Sequence, residues 1–159
     1  MSVIEMLVQT LRQTHELLNE TLADFSDVDM LVRPVAGANH AAWQVAHLIA
    51  SEGHMASPAK IQMPTLPPDI VQQSGKEASA LNNPADFLSK AQLLALFSQV
   101  RQATIAGIKT LPESELDKPT GFPSAPTVGL LLSLIDGHTM MHIGQIQVIR
   151  RKLGKAVMF

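Results

Sequence analysis

TVGLLLSLIDGHTMMHIGQIQVIRRKLG, residues Thr127–Gly154, reads as one long helix. Leu131, Leu134, His138, Met141, His142, Gln145, Ile149 and Leu153 return every three or four residues and form one seam. Arg150, Arg151 and Lys152 suit a helix C-terminus, and Gly154 is placed to end it. The longest apolar stretch, Val128–Ile135, is far too short to span a bilayer. Asp136-Gly137 lies inside the helical pattern and does not mark a hairpin.

The rest of the chain repeats the theme. Proline is kept out of helix interiors, and the prolines leave four free windows: 1–33, 35–57, 85–111 and 127–159. In the first, Ile4, Leu7, Leu11, His15, Leu18, Leu22 and Phe25 keep helical spacing, and in the third Leu93, Phe97, Val100, Thr104, Ile108 and Leu111 do so. The fold expected is all-α, a four-helix bundle in one domain over residues 1–159. RPVAGAN, Arg33–Asn39, is short enough to join antiparallel neighbours, and Asn39 is a candidate N-cap for the second helix. The stretch from Pro58 to Pro84 is long enough for a crossover, which makes the order up-down-down-up; PPDIVQQSG within it suits a helical turn.

Composition excludes several classes. With 12 Lys+Arg against 14 Asp+Glu and no basic run, neither nucleic acid nor an anionic membrane is an expected partner. No cysteine is present, which removes disulfides, thiolate ligands and a cysteine nucleophile. Glu5 and Gln9 interrupt the N-terminal segment where an export signal needs an apolar run, so a cytoplasmic protein is expected.

Histidine carries the chemistry. His138 and His142 are one turn apart, so they project from one face and can share a cation. The spacing alone is a weak signal. Placement on an apolar seam strengthens it, because two bare imidazoles in a core leave polar nitrogens in need of partners. His40, His47 and His54 are seven apart, which spaces successive members by about 10 Å along a helix. At most one of them can therefore join the pair. His47 is mid-helix, at the depth of His138 and His142, and is favoured. His40, beside the cap, and His54, before Pro58, are read as solvated or rim residues. His15 is read as a core or rim residue more readily than as an extra ligand, and Trp43 as packing more readily than as a substrate platform. Gln145 and Ser51 are open between pocket and packing roles, and Gly137 and Gly144 between close helix contact and room for a ligand. The Arg150–Lys155 cluster is read as a solvated helix end, and the AVMF tail as packing on the bundle or across a dimer.

RPVAGANHAAWQVAHLIASE (Arg33–Glu52), LPESELDKP (Leu111–Pro119) and GHTMMHIGQIQVIRRKLG (Gly137–Gly154) occur in this order. Together they resemble the DinB-like (DinB/YfiT-like) superfamily of metal-dependent enzymes, whose last helix carries H-x3-H followed by Gly-Gln and an ending of Arg, Leu and Gly. The resemblance spans essentially the whole chain. It implies a four-helix bundle with a tri-histidine metal site, which falls on His47, His138 and His142. It also implies thiol-dependent transferase, isomerase or hydrolase activity, and a homodimer.

Three neutral imidazoles leave the charge of a divalent ion uncompensated, so a bound water or thiol is acidified. Zinc or nickel is the first expectation, with iron or manganese also admissible. Since the chain has no cysteine, a thiol must arrive as a low-molecular-weight cosubstrate. No Asp or Glu is placed on the seam beside His138 or His142 as a base, and Glu52 is about 140° round the helix from His47. A thiolate needs less help than water, which favours transfer to a small electrophilic substrate over hydrolysis. A non-catalytic sensor bundle and a purely structural bundle are the further readings.

Overall fold

The computed structural model describes residues 1–158. Four long helices form the bundle: α1 (Val3–Leu22), α2 (Ala41–Ala56), α4 (Lys90–Thr110) and α5 (Val128–Lys152). A short α3 (Pro68–Gln73) lies in the crossover, where a helical turn was expected. Ser2 with Glu5, and Ser89 with Gln92, form reciprocal capping boxes that start α1 and α4. Gly154 adopts φ +70°; its N–H meets the Arg151 carbonyl and the Lys155 N–H meets that of Arg150, the Schellman pattern that ends α5.

Lys90, at the start of α4, donates to the carbonyls of Leu22 and Ala23 at the end of α1. Arg150, at the end of α5, meets Thr21 and Asp24, also at the end of α1. Ile61, just beyond α2, packs where Gly107 near the end of α4 has no side chain; a Cβ there would lie 2.5 Å from it. The order is therefore up-down-down-up. Each of α1 and α2 packs on both α4 and α5. Thus α1 and α2 are antiparallel but diagonal, not the neighbours that a short connection suggested. The reason is that α1 stops at Leu22, well before Pro34. Ser26 and Asp29 cap each other and start a 3-10 turn, and the longer connection carries the chain to the far corner.

Two further differences concern the ends. Residues 119–127 form a small hairpin, β1 (Pro119–Phe122) with β2 (Ala125–Thr127), which turns through Pro123-Ser124 and so shows no Asn-Gly or Asp-Gly signal. Only part of the Arg150–Lys155 cluster is a solvated end: Arg151 and Lys152 are exposed, but Arg150 and Lys155 are engaged. Arg150 is buried and bonds Asp24 and the Thr21 carbonyl, and Lys155 reaches Asp24 and Asp29. The tail folds back on the chain: the Ala156 carbonyl accepts from Arg150, and the Met158 N–H donates to Gln147. Phe159 lies outside the described residues.

The core has two apolar clusters. One holds Leu18, Leu22, Val45, Ile49, Phe97 and Ile146; the other holds Leu7, Leu11, Ile108, Leu132 and Ile135. In the gap between them, on all four helices, stand buried polar residues: Thr14, Glu52, Arg101 and Thr139. His138 and His142 occupy the same stretch of α5.

Candidate metal centre

α2 and α5 run antiparallel in contact, so His47 meets the one-turn pair His138 and His142. One candidate ligand atom from each of the three lies within 4.8 Å of the others. The ring centroids are 5.1 Å apart for His47–His138, 5.4 Å for His47–His142 and 4.8 Å for His138–His142. The Nε2 atoms of His138 and His142 are 3.2 Å apart. Two nitrogens bound to one tetrahedral ion at about 2.0–2.1 Å are themselves about 3.3 Å apart, so this pair already has the spacing of shared ligands.

The surroundings prepare the rings. His142 is buried and its Nδ1 lies 3.0 Å from Gln44 Oε1. The Gln44 amide nitrogen donates to the Asn39 carbonyl, which turns its oxygen toward the imidazole. His142 therefore donates through Nδ1–H and presents the Nε2 lone pair, the tautomer a metal ligand needs. Trp43 lies parallel to the His47 ring, with centroids 4.8 Å apart and planes 6° apart, and its Nε1–H donates to the Gly75 carbonyl. Both the indole and the end of α3 thus wall the site.

Electrostatics keep the rings neutral. Burial first, then His138 and His47, push the His142 pKa down to about 3. Burial lowers His138, helped by His47, and lowers His47 against the opposing pull of the Ser74 backbone. Neutral imidazole is the form that binds metal. His138 Nδ1 is buried without a hydrogen-bond partner, and among the described residues no carboxylate joins the cluster. An all-nitrogen donor set of this kind fits a divalent transition metal such as zinc or nickel.

The other histidines divide. His54 is exposed, edge-on to Phe122, as a rim residue should be. His40 is fully buried, contrary to its reading as solvated. It, and not Asn39, caps α2: Nδ1 accepts the Trp43 N–H, Nε2 faces the Leu81 carbonyl, and Phe87 packs edge-on. The crossover folds over it, which no local pattern reveals. His15 lies against Phe97 and is not one of the three clustered histidines.

Several pocket candidates resolve. Ser51 donates to the His47 carbonyl at 2.6 Å. Gln145 is exposed, as are Leu134 and Met141, so the expected seam is displaced around α5 toward Ile135, Thr139 and Ile146. A Cβ at Gly137 or Gly144 would meet nothing, so neither glycine serves close helix contact within the chain. Glu52 is committed to Arg101. Gln44 is the site residue that sequence reasoning missed. Its signal was an amide one turn before His47 in the otherwise apolar run Ala41–Ala46.

YfiT from Bacillus subtilis, described as a probable metal-dependent hydrolase with an unusual four-helix bundle topology, shares the fold with a TM-score of 0.71 and 19% identity. The match covers 96% of this chain and 89% of that one. A conserved protein from Enterococcus faecalis aligns with a TM-score of 0.67 and 17% identity, over 98% of this chain and 99% of the other. No curated protein matches the sequence significantly. At the sequence level the match is to a family: with the pattern of the DinB superfamily running through residues 10–146, the chain belongs to that superfamily.

Proposed function

We propose that the protein is a cytoplasmic, single-domain, metal-dependent enzyme whose ion is held by His47, His138 and His142. The observation that carries this reading is the convergence of three neutral imidazoles within 4.8 Å with no carboxylate of the described residues in the cluster. A divalent cation there, zinc or nickel first, would act as a Lewis acid that acidifies a coordinated thiol or water.

The reaction favoured is transfer of a low-molecular-weight thiol to a small electrophilic substrate. The thiol gives its proton to solvent, its sulfur bonds the electrophilic carbon, and the leaving group departs with the bonding pair. The residues support a nucleophile that needs no protein base. Glu52 is held by Arg101, Ser51 is spent on the backbone, and His15 and His54 stand outside the cluster. Gln44 and Trp43 orient the ligand rings, and Trp43 shields His47 on one side. The second reading, a hydrolase, draws on the description of YfiT.

Elemental analysis of untagged protein beside His138→Ala tests the ion. Titrating thiols into cobalt-loaded protein tests the reaction: a thiol should perturb the metal's absorption, and silence toward all thiols leaves hydrolysis.

The proposal includes a homodimer. The outer face of α5 exposes Leu130, Leu134, Met141 and Val148 at 55%, 40%, 51% and 45%, with Gly137 and Gly144 open between them. In an antiparallel two-fold contact centred on residue 139, Leu134 faces Gly144, Met141 faces Gly137 and Leu130 faces Val148. Leu134→Glu should then give a monomer in light scattering.

A further inference from the structure

We infer that Arg101 is a positioning residue for the metal ligands, holding α2 and α5 in the register at which His47 meets His138 and His142. The inference rests on the proposed metal reading and goes beyond it. Arg101 comes from α4, which supplies no imidazole, and it is fully buried. Its Nε and Nη2 fork onto the Glu52 carboxylate at 2.9–3.1 Å. Nη2 also donates to Thr139 Oγ1 at 2.8 Å. Nη1 takes the Leu11 carbonyl and Thr14 Oγ1, both at 3.0 Å.

The attachment points decide the role. Glu52 follows His47 on α2 by little more than one turn, and Thr139 lies between His138 and His142 on α5. A helix is rigid over such distances, so one guanidinium joins the two ligand-bearing rods at Glu52 and Thr139, each within about a turn and a half of a ligand. Apolar packing is non-directional, whereas a bidentate fork with a fixed plane constrains direction as well as distance. Metal ligands tolerate only a few tenths of an ångström of error, so the register must be set by something directional.

The two threonines separate this role from simple support of the bundle. Thr14 and Thr139 each accept one Arg101 N–H and each donate to their own helix, at Thr10 and Ile135. Only Thr139 stands on a ligand helix. Thr14→Val and Thr139→Val thus remove matched contacts, one remote from the ligands and one beside them. Arg101→Met is avoided as the primary variant because it strands the Glu52 charge.

The measurement is cobalt(II) titration read by ligand-field absorbance, beside thermal unfolding of the metal-free proteins. The two variants should lose similar melting temperature. Thr139→Val should bind cobalt about tenfold more weakly, the size of a lost outer partner, while Thr14→Val binds as wild type. Thr139→Ser, which keeps the acceptor, should restore affinity, and Arg101→Lys, which keeps the charge without the fork, should lose it. Equal losses in the two valine variants, or none in either, would overturn the inference and leave the metal site standing. Absence of a cobalt signal from wild-type protein would overturn the metal reading and this inference together.

Discussion

Two polar groups lie side by side in the middle of the bundle, and they are finished differently. Around Arg101 every N–H has an acceptor: both carboxylate oxygens of Glu52, two threonine hydroxyls and the Leu11 carbonyl. Around His138 two ring nitrogens face each other at 3.2 Å and a third is buried without a partner. Arg101 is fully buried with its partners complete, whereas His47 and His138 are half-buried and one His138 nitrogen has no partner among the described residues. A charge enclosed by fixed partners belongs to the fold. The imidazoles, by contrast, bond chiefly to one another and to Gln44, and the proposed metal reading rests on that difference.

The comparison breaks first at Arg101. Arg101→Met should cost about 3–5 kcal/mol in urea unfolding of the metal-free protein, because Glu52 is left charged and alone. Replacing Glu52 by Met as well should recover most of that loss. His138→Ala should behave in the opposite way. Metal-free stability should change by less than about 1 kcal/mol, whereas metal affinity should fall by more than the roughly 100-fold that bounds loss of an outer partner. A stability loss as large as that of Arg101→Met would make the imidazoles structural. Gln44→Leu is intermediate: it frees the His142 tautomer and should weaken metal binding about 10–100-fold in a competition titration with a chelator.

The smallest effect is on pH. His142 has a folded pKa of about 3, below the ordinary histidine value of 6.5, so the unfolded chain takes the proton first as pH falls. Its contribution is complete above pH 6.5 and is lost progressively toward pH 3. Burial pushes His40 down in the same sense. Stability of the metal-free protein should therefore fall between pH 7 and 5, by up to about 1.4 kcal/mol per unit for each such imidazole. His142→Asn should give a shallower slope in the same denaturation series.

Much of the fold was readable because its signals are local. The proline-free windows contain the four long helices, though α1 ends well inside the first. Gly154 ends α5 as its lack of a side chain allows. The pairing of His138 with His142 follows from helix geometry, and the depth of His47 follows from its place in a proline-free window. Four features were not readable, and each depends on a neighbour distant in sequence. His40 is buried by the crossover, Arg150 by the end of α1, and Arg101 by three other helices. On α5, which is apolar on nearly every side, periodicity could not separate the face turned inward from the face bearing Leu134, Met141 and Gln145.

By itself, then, the chain determined where helices start and stop and which histidines stand a turn apart, since backbone hydrogen bonding and steric limits act over a few residues. Tertiary structure decided which corner each helix takes, which way the long side chains reach, that Gln44 backs His142, and that Arg101 joins α2 to α5 through Glu52 and Thr139. Those outcomes depend on which surfaces meet, and a long guanidinium or amide is satisfied only by acceptors that another helix brings to it.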